Sequence, residues 1–244
     1  MWWCCRSTPI TLTLPKTTLP RANWRKKFCK NWPGWAGDIM AAGKLIVFEG
    51  IDGSGKETQA RLLKPDFYLA FPRYDKLFGK IIKFLLHLPW GQKINPYLMA
   101  WLFATDRFLA KPEINFRLRL NQLVVIDRYT ASSQAHQGAK LKGKSRESII
   151  KWIDWLENKV YCLPQPDKVF FLNLPPQKAK ELIIKRGREQ DAAEKDFVYQ
   201  QETYLIYQDL AKKKKWVIIN SLDKQGKLLP VREIHECIRS RIVK

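Results

Sequence analysis

The sequence predicts an α/β fold, a three-layer sandwich with a central parallel sheet and helices on both faces. Three observations carry that expectation. Short, nearly unbroken apolar runs recur at Leu45 to Phe48, Leu123 to Ile126, Val169 to Leu172 and Trp216 to Ile219, and a strand that is apolar at every position is one buried on both faces. Helix-period sequence separates these runs, and strands alternating with helices form parallel βαβ units. The first run ends in Glu49 and Gly50 and opens directly into a glycine-rich turn.

In chain order, the run at Leu45 is the first strand, and Thr58-Gln59-Ala60-Arg61-Leu62-Leu63 beyond the turn is competent for helix. From Lys56 to Lys64 there is room for about nine helical residues before Pro65, about 13 Å at 1.5 Å per residue, barely the length of the strand it runs back along. A strand candidate near Phe67 to Phe71 follows, and Phe71-Pro72-Arg73-Tyr74-Asp75 places an arginine on the turn after it. Leu102 to Arg107 lie in a helical run after Asn95-Pro96. The run at Leu123 leads into Asp127 and Arg128, an acid and a base at the carboxyl end of a buried strand, where open α/β sheets bind ligands. Ile149, Ile150, Trp152, Ile153, Leu156 and Val160 recur at helical spacing after Ser145 and Ser148, two candidate caps. Ile234, Cys237, Ile238 and Ile242 do the same after Pro230.

Composition excludes several classes. With 45% hydrophobic and 27% charged residues the 244-residue chain is globular rather than collagen-like, low-complexity or wholly disordered. No stretch approaches the roughly 20 consecutive apolar residues of a bilayer helix, so no membrane association is expected. A formal charge of +21 favours polyanions such as phosphorylated metabolites, nucleic acid or anionic lipid, and charge alone does not choose among them. Residues 1–39 differ from the rest: they hold five of the ten Trp and three of the five Cys, and seven basic residues against one acidic. They fit neither a secretory signal nor a zinc site. They read as an extension outside the domain, or as upstream sequence, with Met40 as the natural start and 40–244 as the single domain. A basic nucleic-acid arm is the alternative. Cys162 and Cys237 fall in apolar patterns and read as reduced core residues of a cytoplasmic protein.

Gly50-Ile51-Asp52-Gly53-Ser54-Gly55-Lys56 matches GxxxxGK between a buried strand and a helix, the context that makes this pattern a phosphate-binding loop of the P-loop NTPase fold. Glycines let successive N–H groups converge on phosphate oxygens without Cβ obstruction, at the positive end of a helix. Lys56 adds a point charge for the β and γ phosphates. Residues Gly50 to Thr58 are therefore the expected ATP contacts. The motif's last position should be Ser or Thr for Mg²⁺, but Glu57 stands there, with Thr58 one place later and turned by about 100°. Either Glu57 ligates Mg²⁺, directly or through water, or the ion leans on another acid, or catalysis is impaired.

Together FEGIDGSGK at Phe48 to Lys56, the Phe-Pro-Arg segment at Phe71, LFATDR at Leu102 to Arg107, DRYTASSQAHQGAK from Asp127 to Lys140, and Pro166-Asp167 before the strand at Val169 resemble the thymidylate kinase family, in order and spacing. The resemblance runs from about Lys44 to the C-terminus. It implies Mg²⁺-dependent transfer of the ATP γ-phosphoryl group to dTMP, giving dTDP and ADP. It further implies that Asp52 accepts from the sugar 3′-hydroxyl, Phe103 stacks on thymine, Arg107 donates to a thymine carbonyl, and Arg128 holds the acceptor phosphate, with Arg73 on the same side. Asp127 would help place Mg²⁺ or its waters, and Ser132 and Gln137 would line the base pocket. The family often has an aromatic residue where His136 stands. It also implies a homodimer, and nucleic acid is not an expected partner.

Transfer needs a cation on the equatorial oxygens, which the family supplies from the phosphate loop or from a lid. Gly53 fills the loop position, so Lys185 to Asp191 is the expected lid, with Arg186 and Arg188 as candidates. Relatives have a connection about a dozen residues longer after the phosphate loop. The edge of the sheet near Phe67 to Phe71 is therefore expected to be shortened or displaced, and Arg73 is the least secure of these residues. A deoxynucleoside kinase and a nucleotide- or nucleic-acid-binding protein without catalysis are the alternatives.

Overall fold

The structure is a computed structural model and describes residues 43–185 and 196–242. In chain order the elements are β1 (Lys44–Glu49), α1 (Lys56–Leu62), β2 (Phe67–Ala70), α2 (Leu77–His87), α3 (Pro96–Arg119), β3 (Leu123–Asp127), α4 (Thr130–Ala139) and α5 (Gly143–Trp155), which a π turn, Leu156–Val160, extends. Then come β4 (Lys168–Asn173), α6 (Pro176–Lys185), α7 (Phe197–Lys213), β5 (Val217–Asn220) and α8 (Val231–Ile242). The strands form one parallel sheet in the order β2-β3-β1-β4-β5, with the strand before the glycine turn at its centre.

Both faces of the sheet are covered, as the unbroken apolar runs require. Leu45, Val47, Val124 and Ile126 point to one side and pack on Ala110, Ile114 and Leu118 of α3. Ile46, Phe48, Val125, Phe170 and Leu172 point to the other and meet Ala60 of α1 and Ile234 and Ile238 of α8. Phe171 joins a third cluster with Ala131 and Ala135 of α4 and Ile206, Tyr207 and Leu210 of α7. The expected three-layer α/β sandwich is the fold observed.

The short connection after the phosphate loop shortens β2 and leaves it in place. Lys64 turns the chain at φ +49°, and the four residues of β2 pair with β3 along their whole length, from Phe67 opposite Val124 to Ala70 opposite Asp127. The Asp66 carboxylate accepts from the Leu123 amide at 2.7 Å and supplies an extra tie just before the strand. Two smaller expectations fail. α5 starts ahead of both serines because Gly143 takes a left-handed φ of +53°. Ser148 instead donates to the Lys144 carbonyl. Cys237 is exposed and Cys162 is half-buried and disulfide-bonded, so the reading of two reduced core thiols does not hold. The expectations for residues 1–39, Arg186 and Arg188 lie outside the described residues. Among the described residues no helix is long and apolar enough to cross a membrane.

Candidate active site

The carboxyl ends of β1 and β3 lie side by side, Phe48 opposite Asp127, and the two segments that leave them build the site. Leaving β1, the loop passes through Gly53 at φ +78°, where an added Cβ would lie 2.8 Å from Ile183 Cγ1 and 2.9 Å from the Ala179 carbonyl of α6. Both the dihedral and the space therefore demand glycine. Lys56 opens α1 and is only 6% exposed; its Nζ donates to the Ile51 carbonyl at 2.7 Å, folding the ammonium over the loop. Burial, with Arg128 adding to it, pushes the Lys56 ammonium down to about 8. The Ser54 hydroxyl is buried without a partner.

Leaving β3, Arg128 takes a left-handed φ of +64°, uncommon for a side-chain-bearing residue, with its amide donating to the Phe48 carbonyl at 3.0 Å. This kink delivers the guanidinium to Asp52, with which it forms an ion pair. Burial raises the Asp52 carboxyl, but Arg128 and then Lys56 more than reverse this and hold it well below the usual carboxylate range. Arg128 Nη1 also contacts His136 Nε2 at 3.0 Å. An arginine can only donate, so Nε2 accepts and Nδ1 carries the proton, which it gives to the Tyr199 hydroxyl at 3.0 Å. Burial, followed by the Arg128 charge, pushes His136 down to about 3, so the ring is neutral.

The remaining acceptor-side residues gather around two buried acids and an aromatic ring. Arg73 is held by Asp106 at every polar atom the acid offers: its amide donates to Oδ2 at 2.9 Å, Nε to Oδ1 at 3.0 Å and Nη2 to the carbonyl at 2.7 Å. It is thus firmly placed despite the short β2. Arg107 is no surface charge. It is 1% exposed, and Nη1 donates to Glu157 Oε1 at 2.7 Å and Ser133 Oγ at 2.9 Å. Both guanidinium carbons approach the Phe71 ring, Arg73 at 5.9 Å and Arg107 at 5.8 Å, and Arg107 lies 6.0 Å from the Phe103 ring. Phe103 is partly buried beside Ile82, Met99 and Leu102. Ser132 donates to Glu49 Oε2 at 2.7 Å, and Gln137 is buried with Oε1 unpartnered.

Glu49, Asp106 and Glu157 organise this side, and sequence reasoning assigned none of them a role. Each is fully buried. Glu49 accepts from the Tyr129 amide at 2.8 Å, from Ser132 and from the Tyr207 hydroxyl at 3.2 Å, which fixes the turn after Arg128. Burial raises its carboxyl, opposed by Ser132, the Tyr129 amide, Arg107 and Arg128. Glu49 at the end of an apolar run was the one legible signal, since an acid closing a buried strand must find partners. A cavity of about 360 Å³ is lined by Val47, Glu49, Tyr129, Asp167 and Trp216 among others. It contains none of Lys56, Phe103, Arg107 or Arg128.

The fit to Mg²⁺ turns on the two acids expected to serve it. The Glu57 carboxylate is exposed and accepts from Arg61 Nε at 2.9 Å one helical turn on, and Thr58 is half-buried. Asp127 is buried, with Oδ1 unpartnered and with Lys56 and Arg128 acting on its charge. Burial raises its carboxyl and outweighs the lowering by Lys56 and Arg128. Among the described residues no group of three or more His, Cys, Asp or Glu could hold a metal alone. That suits Mg²⁺, which takes one or two carboxylates together with substrate phosphates. Asp127 fits the ion; Glu57 is directed elsewhere.

Comparison with known proteins identifies the family. The thymidylate kinase family model matches residues 48–232. A thymidylate kinase of Mycobacterium tuberculosis is 32% identical over 202 residues, covering 75% of this chain and 94% of that protein. A probable thymidylate kinase of Methanocaldococcus jannaschii is 35% identical over 201 residues, covering 80% and 94%. The solved structure of Candida albicans thymidylate kinase superposes with a TM-score of 0.66 at 24% identity, covering 82% of this chain and 91% of that one, and so supports the fold. The chain belongs to the thymidylate kinase family and is a nucleoside monophosphate kinase.

Proposed function

We propose that the protein transfers the γ-phosphoryl group of ATP to dTMP, giving dTDP and ADP, with Mg²⁺. The observation that supports this reading is that the acceptor arginine, Arg128, pairs with Asp52 in the same loop whose Ile51 carbonyl accepts from the phosphate lysine, Lys56. Donor and acceptor phosphates brought to these two cations face each other across Asp52. Phosphoryl transfer asks the protein for little covalent chemistry, so positioning and charge supply the rate.

On the donor side the loop amides and Lys56 take the ATP phosphates. When bound, Mg²⁺ would neutralise charge on the β and γ oxygens, and Asp127 would hold it or its waters. On the acceptor side the monophosphate takes Arg128 from Asp52, which frees that carboxylate to accept from the sugar hydroxyl. His136, neutral and fixed by Tyr199, keeps Arg128 aimed without adding charge. Phe103 offers a ring for thymine, Arg107 donates to its carbonyl, and Ser132 and Gln137 lie at the pocket wall. The cation for the transferring group comes from Arg186 or Arg188, because α6 fills the space beside Gly53 where a loop side chain would stand.

The test is ADP release with dTMP, dUMP, dCMP, AMP, GMP and thymidine as acceptors. dTMP should be the best substrate. Preference for AMP or GMP would move the assignment to another monophosphate kinase, preference for thymidine would make it a nucleoside kinase, and no ADP with any acceptor would leave a binding protein.

A further inference from the structure

Glu157 is a buried acid that the phosphate chemistry does not use, and Arg107 closes on it. It lies in the π turn Leu156–Val160 and is fully buried. Such turns are uncommon and recur at functional sites. Its Oε1 accepts from Arg107 Nη1, and the Thr130 side chain is a second hydrogen-bond neighbour of the carboxylate. Glu49, which also acts on Arg107 from the β1 side, is already engaged by Tyr129, Ser132 and Tyr207. Glu157 is therefore the acid that holds this guanidinium.

What it holds matters for recognition. Arg107 lies beside the Phe71 and Phe103 rings on a flexible stem, and its Nη1 is taken by Glu157 and Ser133. Nε is buried without a partner, so it is a donor left for a ligand. We infer that Glu157 is a positioning residue for the acceptor base: by fixing Arg107 it makes the site select pyrimidines with a ring carbonyl over those with an amino group at the same place. This rests on the reading that Arg107 faces the base. A guanidinium has only donors, so a carbonyl satisfies it and an amino group opposes it with another donor. Discrimination requires that Arg107 cannot swing away, because a mobile donor relaxes around the wrong base.

The test is steady-state kinetics of the full chain, wild type against Glu157→Gln and Glu157→Asp, with dTMP, dUMP and dCMP, alongside melting temperatures. Glu157→Gln should raise KM for dTMP about tenfold while kcat stays within about twofold and KM for ATP is unchanged, the pattern of lost binding rather than lost transfer. The preference for dTMP over dCMP should fall about tenfold. In an Arg107→Gln background the same substitution should add nothing, because both act through one contact. If Glu157→Gln does not melt cooperatively, Glu157→Asp carries the test with the same pattern at smaller size. A folded variant with unchanged KM and unchanged dTMP:dCMP preference overturns the inference, as does an equal loss toward ATP and dTMP, which marks a purely structural role. A wild type that phosphorylates no pyrimidine monophosphate overturns the proposed function itself, and that outcome is read before any variant is compared.

Discussion

His136 shows how one side chain's chemistry is set by its neighbours. Its folded pKa, about 3, lies below the ordinary value of 6.5, through burial first and then Arg128. The native protein thus binds fewer protons than the unfolded chain between these values. Stability is fully present above about pH 6.5 and is lost as pH falls toward about 3. Thermal unfolding of the wild type from pH 7 to 4 should show a falling melting temperature, and His136→Gln, which keeps an acceptor for Arg128 without a titrating ring, should show a shallower fall. An equal slope in both would place the acid sensitivity elsewhere. The two candidate metal acids separate as cleanly. Asp127→Asn should lower kcat by about 100-fold, the scale of losing one electrostatic group at a reacting phosphate. Glu57→Ala, which breaks only an exposed pair with Arg61, should leave kcat within about twofold. Kinetics across a Mg²⁺ titration check both.

Among the elements, the strands were legible because parallel strands at the sheet centre are apolar at every position, and the phosphate loop because its glycines sit between a strand and a helix. β2 was legible as a strand candidate near Phe67 to Phe71, but its place in the sheet was not, since the Asp66 clasp depends on Leu123, far along the chain. The roles of Asp106 and Glu157 were hidden for a related reason: an acid on a helix reads as solvated until tertiary packing buries it against an arginine. α2 supplies a test of how these elements hold the acceptor side. A Cβ at Gly79 would sit 1.8 Å from the Arg73 carbonyl, so Gly79→Ala must push the Arg73 turn away from α2 and strain its bonds to Asp106. It should raise KM for dTMP while leaving KM for ATP unchanged, and lower stability by roughly 1–3 kcal/mol, the usual cost of overpacking. Equal effects on both substrates would show that the displacement spreads to the phosphate loop.

At the scale of the whole molecule, the family match and the described fold both lie within residues 43–242, as do the described site residues. A chain begun at Met40 is therefore expected to match the full chain in kcat and in KM for both substrates, and a large loss on truncation would assign residues 1–39 a part in catalysis. Exposed apolar side chains on α2 and α3, Leu77, Phe84, Leu98, Trp101 and Leu109, offer a surface for the homodimer that the family resemblance implies. Sedimentation at micromolar concentration should give twice the monomer mass. The whole account reduces to two phosphates held in line between Lys56 and Arg128, and ³¹P NMR of the protein with ATP, dTMP and Mg²⁺ reads it directly. The β-phosphate signal of dTDP should grow in step with ADP, whereas ADP appearing with free orthophosphate and unchanged dTMP would contradict it.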